Sequence, residues 1–182
     1  MQWSSLNDKQ KSYLAALLLA VVNFLVFLLT PLRHYTFETR AISVWMAVIS
    51  AILFLGHIVL CIVCRFKKKL WIVRGLFLYQ LVGGIAYVIF FVTYIASSGG
   101  SPVTAGALDC FRWWTLWYEP CTVTLSRIIG IPLKFTMGIF YLILIDLSGS
   151  TVTAIRKDIR YEKQREEDRL YEEATRGRGG HW

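Results

Sequence analysis

The three histidines are the side chains best suited to acid–base or metal chemistry, and they are widely separated in the chain. They are His34, His57 and His181. Metal sites take several His, Cys, Asp or Glu ligands at characteristic short spacings, and no such group surrounds any of these histidines. The sequence also has no glycine-rich phosphate loop and no paired carboxylates within its apolar runs. We therefore predict no catalytic residues, no metal site and no cofactor.

Four polar or charged side chains stand inside long apolar runs: Asn23, His57, Gln80 and Lys134. Polar groups in hydrocarbon are costly, so such residues are the first candidates for function in a membrane protein. We interpret the first three as hydrogen-bonding contacts between helices, and the alternative is a path for protons or substrate. We expect the Lys134 side chain to extend toward the outer membrane surface. The alternative is a salt bridge from it to one of three acids in the predicted outer loops: Glu38, Asp109 and Glu119.

The apolar runs themselves predict the architecture. A hydrocarbon layer about 30 Å thick needs about 20 apolar residues in a helix that rises 1.5 Å per residue. The chain is 55% hydrophobic, and its apolar residues come in blocks of that length instead of the stripes of a soluble core. We predict an all-α integral membrane four-helix bundle with spans at residues 13–32, 41–64, 75–96 and 128–147.

The distribution of Lys and Arg predicts the orientation of these spans, because cytoplasmic loops carry an excess of positive charge. The connection between the second and third spans holds five basic residues and no acid: Arg65, Lys67, Lys68, Lys69 and Arg74. We expect this polybasic loop to face the cytoplasm together with residues 1–12 and the C-terminal tail, and residues 97–127 to form an outer loop. The net charge of +8 is then a topology signal that also attracts anionic lipids, and no nucleic-acid partner is expected.

The four cysteines fall on opposite sides of the membrane in this topology. Cys110 and Cys121 lie in the predicted outer loop, where an oxidising compartment favours a disulfide bond between them, worth about 3 kcal/mol for a loop of this length. Cys61 and Cys64 lie at the cytoplasmic end of the second span, beside the polybasic loop. They are candidates for reversible palmitoylation, and the alternative is that both are buried, unmodified thiols.

The segment LDCFRWWTLWYEPC, residues 108–121, concentrates aromatic residues between the two outer cysteines: Phe111, Trp113, Trp114, Trp117 and Tyr118. Tryptophan and tyrosine favour the membrane interface because the ring is apolar over its body and polar at one end. We expect these residues to form an aromatic ledge on the outer membrane surface. The alternative is a recognition surface for a partner, since the same residue types dominate binding hot spots.

The tail at residues 148–182 differs in composition from the spans. The stretch SGSTVT predicts a polar break after the fourth span. The following IRKDIRYEKQREEDRLYEEATR mixes charges at helical spacing, such as Glu172 and Arg176. We expect a solvated cytosolic helix that serves as a charged stalk or, alternatively, as a docking helix for a cytosolic partner.

Four predicted spans with both ends inside, together with the motif LWYEPC at residues 116–121, resemble the claudin and MARVEL-like tetraspan membrane proteins. Claudin loops carry a similar tryptophan and cysteine signature, located between spans one and two, whereas here the motif lies between spans three and four. The resemblance implies roles in membrane organisation, junctions or trafficking, or service as an accessory subunit.

These patterns predict a non-enzymatic, multi-span scaffold or accessory subunit in the plasma membrane or an endomembrane. Its expected partners are the lipid bilayer and either another membrane protein or further copies of the same chain. A small transporter or channel that uses the polar residues of its spans as a path is the second hypothesis. An intramembrane lipid enzyme is the third.

Overall fold

The computed structural model describes residues 6–29, 44–97 and 100–178, and in these ranges the chain forms helices joined by short turns. The helices are α1 (Asp8–Leu29), α2 (Val44–Phe66), α3 (Leu70–Ala96), α4 (Pro102–Trp114), α5 (Glu119–Ile129) and α6 (Leu133–Arg178). The prediction of an all-α protein is confirmed. Among the described residues, three segments are long and apolar enough to cross a membrane: Ala47–Phe66, Leu70–Ala96 and Leu133–Thr175. His34, Glu38 and His181 lie outside the described residues.

Helix α3 is the centre of the bundle and contacts α1, α4 and α6, while α2 packs on α5 and α6. Glycine residues allow the closest of these contacts. A Cβ atom added to Gly75 would lie 2.8 Å from Ala15 Cβ of α1, and one added to Gly84 would lie 2.6 Å from Ile145 Cδ1 of α6. Both distances are too short for a real Cβ atom. The helices can approach each other this closely because glycine has no side chain.

The start of α1, the turn between α2 and α3 and the charged part of α6 lie at the same end of the bundle. Gly75, near the start of α3, lies against Ser12, near the start of α1. Lys68 in the turn forms an ion pair with Glu162 of α6. We call this end the basic end, because the turn consists of Lys67–Lys69, and we call the opposite end the hairpin end.

Within the predicted outer loop of residues 97–127, residues 102–127 fold as part of a helical hairpin packed within the bundle. Helix α4 begins after Ser101, whose hydroxyl oxygen accepts a hydrogen bond from the Thr104 N–H at 3.1 Å. The chain turns at Thr115–Tyr118 and returns as α5. This helix ends at Ile129 and is followed by Gly130 in the left-handed conformation, with φ 76°. Pro132 follows, so the helix predicted to begin at residue 128 begins at Leu133. We call residues 102–129 the hairpin and residues 113–118 its tip.

The hairpin extends along more than half of α3. Near its open end Thr104 Oγ1 lies 3.4 Å from Ser97 Oγ, and at the tip the Trp114 ring stacks on Tyr79 with 5.2 Å between ring centroids. The helical rise makes the distance from Ala96 to Tyr79 along α3 about 25 Å. The tip therefore lies deep inside the bundle, nearer to the basic end than to the hairpin end.

Helix α6 is continuous from Leu133 to Arg178, so the polar break predicted at residues 148–153 does not interrupt it. The Thr151 hydroxyl donates to the Leu147 carbonyl four residues earlier at 2.7 Å, which satisfies it within the helix, and Ser148 Oγ lies 2.9 Å from the Leu144 carbonyl oxygen. Ile155 is fully buried beyond the break. The packed face of α6 therefore continues from the apolar segment into the charged tail.

Candidate functional site

Polar residues from four parts of the chain, three of them buried, meet at the tip of the hairpin. His57 of α2, Gln80 of α3 and Ser148 of α6 are 5%, 1% and 0% exposed, and Tyr118 of the tip completes the group. His57 Nδ1 lies 3.2 Å from the Tyr118 hydroxyl oxygen, and His57 Nε2 lies 3.1 Å from Ser148 Oγ. Gln80 Nε2 lies within 3.3 Å of both ring nitrogens. We call these four residues the tip cluster.

A neutral imidazole satisfies the hydrogen bonds of the tip cluster. With the proton on Nε2, His57 donates to Ser148 Oγ, the Ser148 hydroxyl donates to Gln80 Oε1 at 2.8 Å, and Nδ1 accepts from the Tyr118 hydroxyl. With the proton on Nδ1 instead, His57 donates to Tyr118 and accepts from Ser148. The cluster can therefore hold helices together, and it could pass a proton between Tyr118 and Ser148, but none of its four members is a carboxylate.

Backbone carbonyl groups at the tip accept hydrogen bonds from side chains of α1 and α2. The last carbonyl groups of a helix have no partner within it, and leaving them unpaired in an apolar environment is costly. Asn23 Nδ2 donates to the Trp113 carbonyl at 2.8 Å, and Ser50 Oγ donates to the Trp117 carbonyl at 2.8 Å. Asn23, His57 and Gln80 thus all contact the hairpin or its cluster, as expected for contacts between helices.

The aromatic residues predicted to form an outer ledge are packed inside the bundle instead. Phe111 is fully buried, with its ring centroid 4.8 Å from that of Tyr87. Trp114 Nε1 donates to the Tyr79 carbonyl at 2.6 Å, and the Tyr79 hydroxyl donates to the Trp114 carbonyl at 3.3 Å. The other aromatic residues at the tip are half-buried: Trp113, Trp117 and Tyr118. The depth of the hairpin is the physical reason, because it carries these rings into the core.

The disulfide bond predicted between Cys110 and Cys121 is not formed, and both thiols are free. Cys110 is exposed on α4, whereas Cys121 is half-buried on α5, where its backbone N–H donates to Ser50 Oγ at 3.2 Å. The predicted loop would have let the two cysteines approach each other. Two packed helices hold them in different surroundings.

Cys61 and Cys64 are 1% and 2% exposed and belong to an apolar cluster with Val73 of α3 and Ile155 of α6. Attachment of an acyl chain requires a thiol that is accessible at the membrane surface. The burial of both thiols therefore favours the alternative of unmodified cysteines over palmitoylation.

Lys134 lies at the hairpin end, where its Nζ donates to the Tyr94 hydroxyl at 2.7 Å and lies 3.9 Å from the centre of the same ring. Two acids that were alternative partners for it contact Arg112 instead. Glu119 Oε1 lies 3.3 Å and Asp109 Oδ1 lies 4.0 Å from the guanidinium nitrogens. Within the described residues Lys134 thus contacts an aromatic ring and forms no salt bridge with Asp109 or Glu119. The extension of its side chain toward the outer membrane surface stays a prediction.

Ser148 and the Arg112–Glu119 ion pair are not evident from the pattern of polar residues in the apolar runs. Ser148 follows the buried residues Tyr141 and Leu144 at helical spacing. Extending the helical period of the fourth span through SGSTVT would therefore have identified it. The ion pair joins α4 to α5 across the tip, and no periodicity relates residues on two different helices.

No group of three or more His, Cys, Asp or Glu residues that could hold a metal ion occurs in residues 6–29, 44–97 and 100–178. The tip cluster consists of hydrogen-bonding side chains, and beside it Arg112 and Glu119 form an ion pair with side chains 21% and 5% exposed. Comparison of the chain with protein-family models, with curated proteins and with solved structures finds no significant match.

Proposed function

We propose that this chain is a non-enzymatic integral membrane protein with four spans that acts as a scaffold or accessory subunit for another membrane protein. In this proposal α1, α2, α3 and α6 are the spans, and the hairpin enters the membrane from the outer side without crossing it. The basic end faces the cytoplasm, which the positive charge of the Lys67–Lys69 turn supports. Both termini then lie in the cytoplasm.

The observation that carries the proposal is that the buried side chains Asn23, His57, Gln80 and Ser148 make hydrogen bonds to one another or to the hairpin. The tip cluster links α2, α3, α6 and the tip through contacts of 3.3 Å or less. A conducting path needs polar groups that line a space for water or substrate, whereas these groups use their hydrogen bonds between helices. A bundle fixed in this way is suited to presenting constant surfaces to a partner.

The hydrogen bonds of the tip also support a hairpin at membrane depth. Non-helical backbone is tolerated within the membrane only where it is buried in protein or lines a cavity. The turn at Thr115–Tyr118 meets this condition, since Thr115 is buried and the Trp117 carbonyl accepts from Ser50.

The charged part of α6 is the second surface that the proposal uses. It is exposed from residue 159 to residue 175. It carries two ion pairs, each between residues one helical turn apart: Lys163–Glu167 and Arg169–Glu173, both at 3.7 Å. Because α6 is continuous, this segment extends rigidly from the bundle for roughly 25 Å. It can act as a stalk or as a docking helix. Roles in membrane organisation, junctions or trafficking, implied by the tetraspan resemblance, belong to the same proposal.

Cysteine labelling from outside intact cells tests the orientation. In a background without the native cysteines, Ser101→Cys is expected to react with a membrane-impermeant maleimide, whereas Lys68→Cys and Thr175→Cys are expected to react only after permeabilisation. Labelling of Lys68→Cys in intact cells would overturn the orientation.

Purification of the full-length chain in mild detergent, followed by quantitative mass spectrometry, tests the scaffold or accessory role. A second membrane protein at a fixed stoichiometry is the expected result. Recovery of the chain only with copies of itself would contradict the proposal.

A proton path is the second candidate function, because Tyr118, His57 and Ser148 form a continuous hydrogen-bonded chain. Reconstitution of the His57→Leu variant in vesicles that contain a pH-sensitive dye separates the two functions. If the chain is structural, the variant folds in lower yield and any proton flux stays unchanged. Loss of flux in a well-folded variant would favour the transporter.

A further inference from the structure

Asp146 is an acidic residue on the outside of the bundle, within the apolar part of α6. Its side chain is exposed, and none of the described residues lies within ion-pair distance of its carboxylate. The exposed residues just before it are Leu142 and Ile143. A carboxylate on such a surface is costly in a membrane, and acids in spans commonly pair with another group.

Two contacts between α6 and α3 give the depth of Asp146. Ile145 packs against Gly84, and Gly149 lies beside Phe77. Asp146 is therefore level with a point between Phe77 and Gly84, about 10 Å from the basic end of the apolar run of α3. In the proposed orientation it lies in the inner half of the membrane, below the lipid headgroups.

The two hydroxyl residues nearest Asp146 on this face present hydrogen-bond acceptors, and the basic residues that line the same groove, Arg65 and Lys157, lie nearer the basic end. The Ser150 hydroxyl donates its proton to the Leu147 carbonyl at 3.0 Å, and the Thr153 hydroxyl donates to the Gly149 carbonyl at 2.9 Å. Both hydroxyl oxygens are left with lone pairs for an outside group, and the carboxylate of Asp146 is itself an acceptor when ionised. We call Asp146, Ser150 and Thr153 the acceptor face.

The acceptor face borders a groove of about 680 Å³ with an apolar side formed by Phe77 and Ile145. Gly149, Ser150 and Ala154 also line it, and small residues of this kind let a second helix approach closely in a membrane. At the level of Asp146, where none of the basic residues of the groove lies within ion-pair distance, the complementary chemistry is an apolar helix with one group that only donates hydrogen bonds and carries positive charge.

We infer that the acceptor face binds a transmembrane helix of a partner protein through a Lys or Arg in the inner half of that helix. The inference rests on the proposed function, since it names the chemistry of the partner. A second copy of the chain fits less well, because the span lysine Lys134 lies about 18 Å from Asp146 along α6 and contacts Tyr94. An aminolipid also fits less well, because its ammonium group stays at the membrane surface, about 10 Å from the carboxylate.

Binding of designed single-span peptides to the full-length chain tests the inference. The chain is labelled on its tail and reconstituted in phosphatidylcholine vesicles. One labelled peptide is a Leu/Ala helix with a single Lys about 10 Å from one end of its apolar segment, and the matched peptide has Leu at that position. We expect the Lys peptide to bind about tenfold more tightly by energy transfer, because a polar contact between helices in a membrane has this magnitude.

Two variants of the chain complete the test. Asp146→Asn is expected to remove the preference for the Lys peptide, whereas Asp158→Asn, which changes another acid of the groove nearer the aqueous surface, is expected to retain it. Circular dichroism and gel filtration check that both variants fold. Equal binding of the two peptides by the unaltered chain, or a preference that survives Asp146→Asn, would overturn the inference.

The same variants distinguish this inference from the proposed function. A stoichiometric partner that copurifies equally with the Asp146→Asn variant would refute the inference and leave the scaffold role intact. A Lys preference that depends on Asp146, in a chain that copurifies only with itself, would support the inference and refute the scaffold role.

Discussion

The tip cluster and the acceptor face contain similar polar groups but use them in opposite ways. In the tip cluster, His57, Gln80 and Ser148 are buried, and their hydrogen bonds join helices within the chain. On the acceptor face, Asp146 and Ser150 are exposed, and no other helix of the described chain covers them. Ser148 and Ser150 are only two residues apart on α6 but point to different faces of the helix. The face therefore decides whether a serine bonds to another helix of the chain or is exposed. This contrast suggests that the first region stabilises the fold and the second binds an outside partner.

The largest effect is expected from breaking the ion pair that closes the tip of the hairpin. Glu119→Ala removes a carboxylate whose side chain is 5% exposed and whose Oε1 lies 3.3 Å from the Arg112 guanidinium. The Arg112 side chain is 21% exposed, so the loss in free energy of unfolding should lie at the low end of that for buried ion pairs, about 3 kcal/mol. Asp109→Asn is the control, because Asp109 lies 4.0 Å from Arg112 with a side chain 76% exposed. Thermal unfolding in detergent measures the stability of both variants. An equal loss of stability in the two would contradict the prediction that the buried carboxylate contributes more than the exposed one.

The close packing of the hairpin against α3 predicts the next largest effect. A Cβ added to Gly83 would lie 2.7 Å from Trp114 Cδ1 and 2.5 Å from the Tyr141 hydroxyl oxygen. Gly83→Ala should therefore lower the free energy of unfolding by about 1–3 kcal/mol through overpacking. Gly106→Ala on the hairpin itself meets nothing within 4 Å and should stabilise α4 slightly. The two unfolding midpoints should move in opposite directions, and a stabilising Gly83→Ala would contradict the packing.

The two serines test the contrast directly. Ser148→Ala leaves His57 and Gln80 with unpaired buried groups, so the free energy of unfolding should fall by about 1–3 kcal/mol. Ser150→Ala removes an exposed hydroxyl that bonds only within its own helix, and its effect should stay within about 0.5 kcal/mol. Chemical unfolding in detergent measures the difference. Similar losses from both variants would mean that the tip cluster contributes no special stability.

The smallest change in stability is expected for Asp146→Asn. The carboxylate is exposed and unpaired within the described chain, so the unfolding midpoint in detergent should shift by no more than an ordinary surface substitution, about 0.5 kcal/mol. A large loss would place Asp146 among the residues that hold the fold and remove it from the proposed binding face.

Much of the fold follows from the sequence, because a long apolar run satisfies its backbone hydrogen bonds within the segment only when it forms a helix. The second and third predicted spans agree with α2 and α3 within a few residues. The hairpin of residues 102–129 could not be predicted from the sequence, since Trp and Tyr residues are equally suited to a membrane interface and to a packed core. The predicted disulfide bond is not formed, because Cys110 and Cys121, placed by the prediction in one outer loop, lie on two packed helices.

The candidate site was partly predictable. Asn23, His57 and Gln80 stand out because polar residues in apolar runs are rare, and their use as contacts between helices agrees with their hydrogen bonds. Ser148 and Tyr118 did not stand out, because a serine in a polar stretch and a tyrosine in an aromatic stretch are ordinary in composition. Their importance comes from the helices that meet around them.

The sequence by itself determined that the protein is helical, that several helices are apolar along membrane-spanning lengths and that positive charge collects at one connection. These properties depend on composition and local spacing, which tertiary contacts do not alter. Only the tertiary structure decided that the aromatic segment enters the bundle, that its tip is hydrogen-bonded from neighbouring helices and that Asp146 faces outward. Those features depend on which face of each helix meets its neighbour, and contacts between distant residues fix that choice.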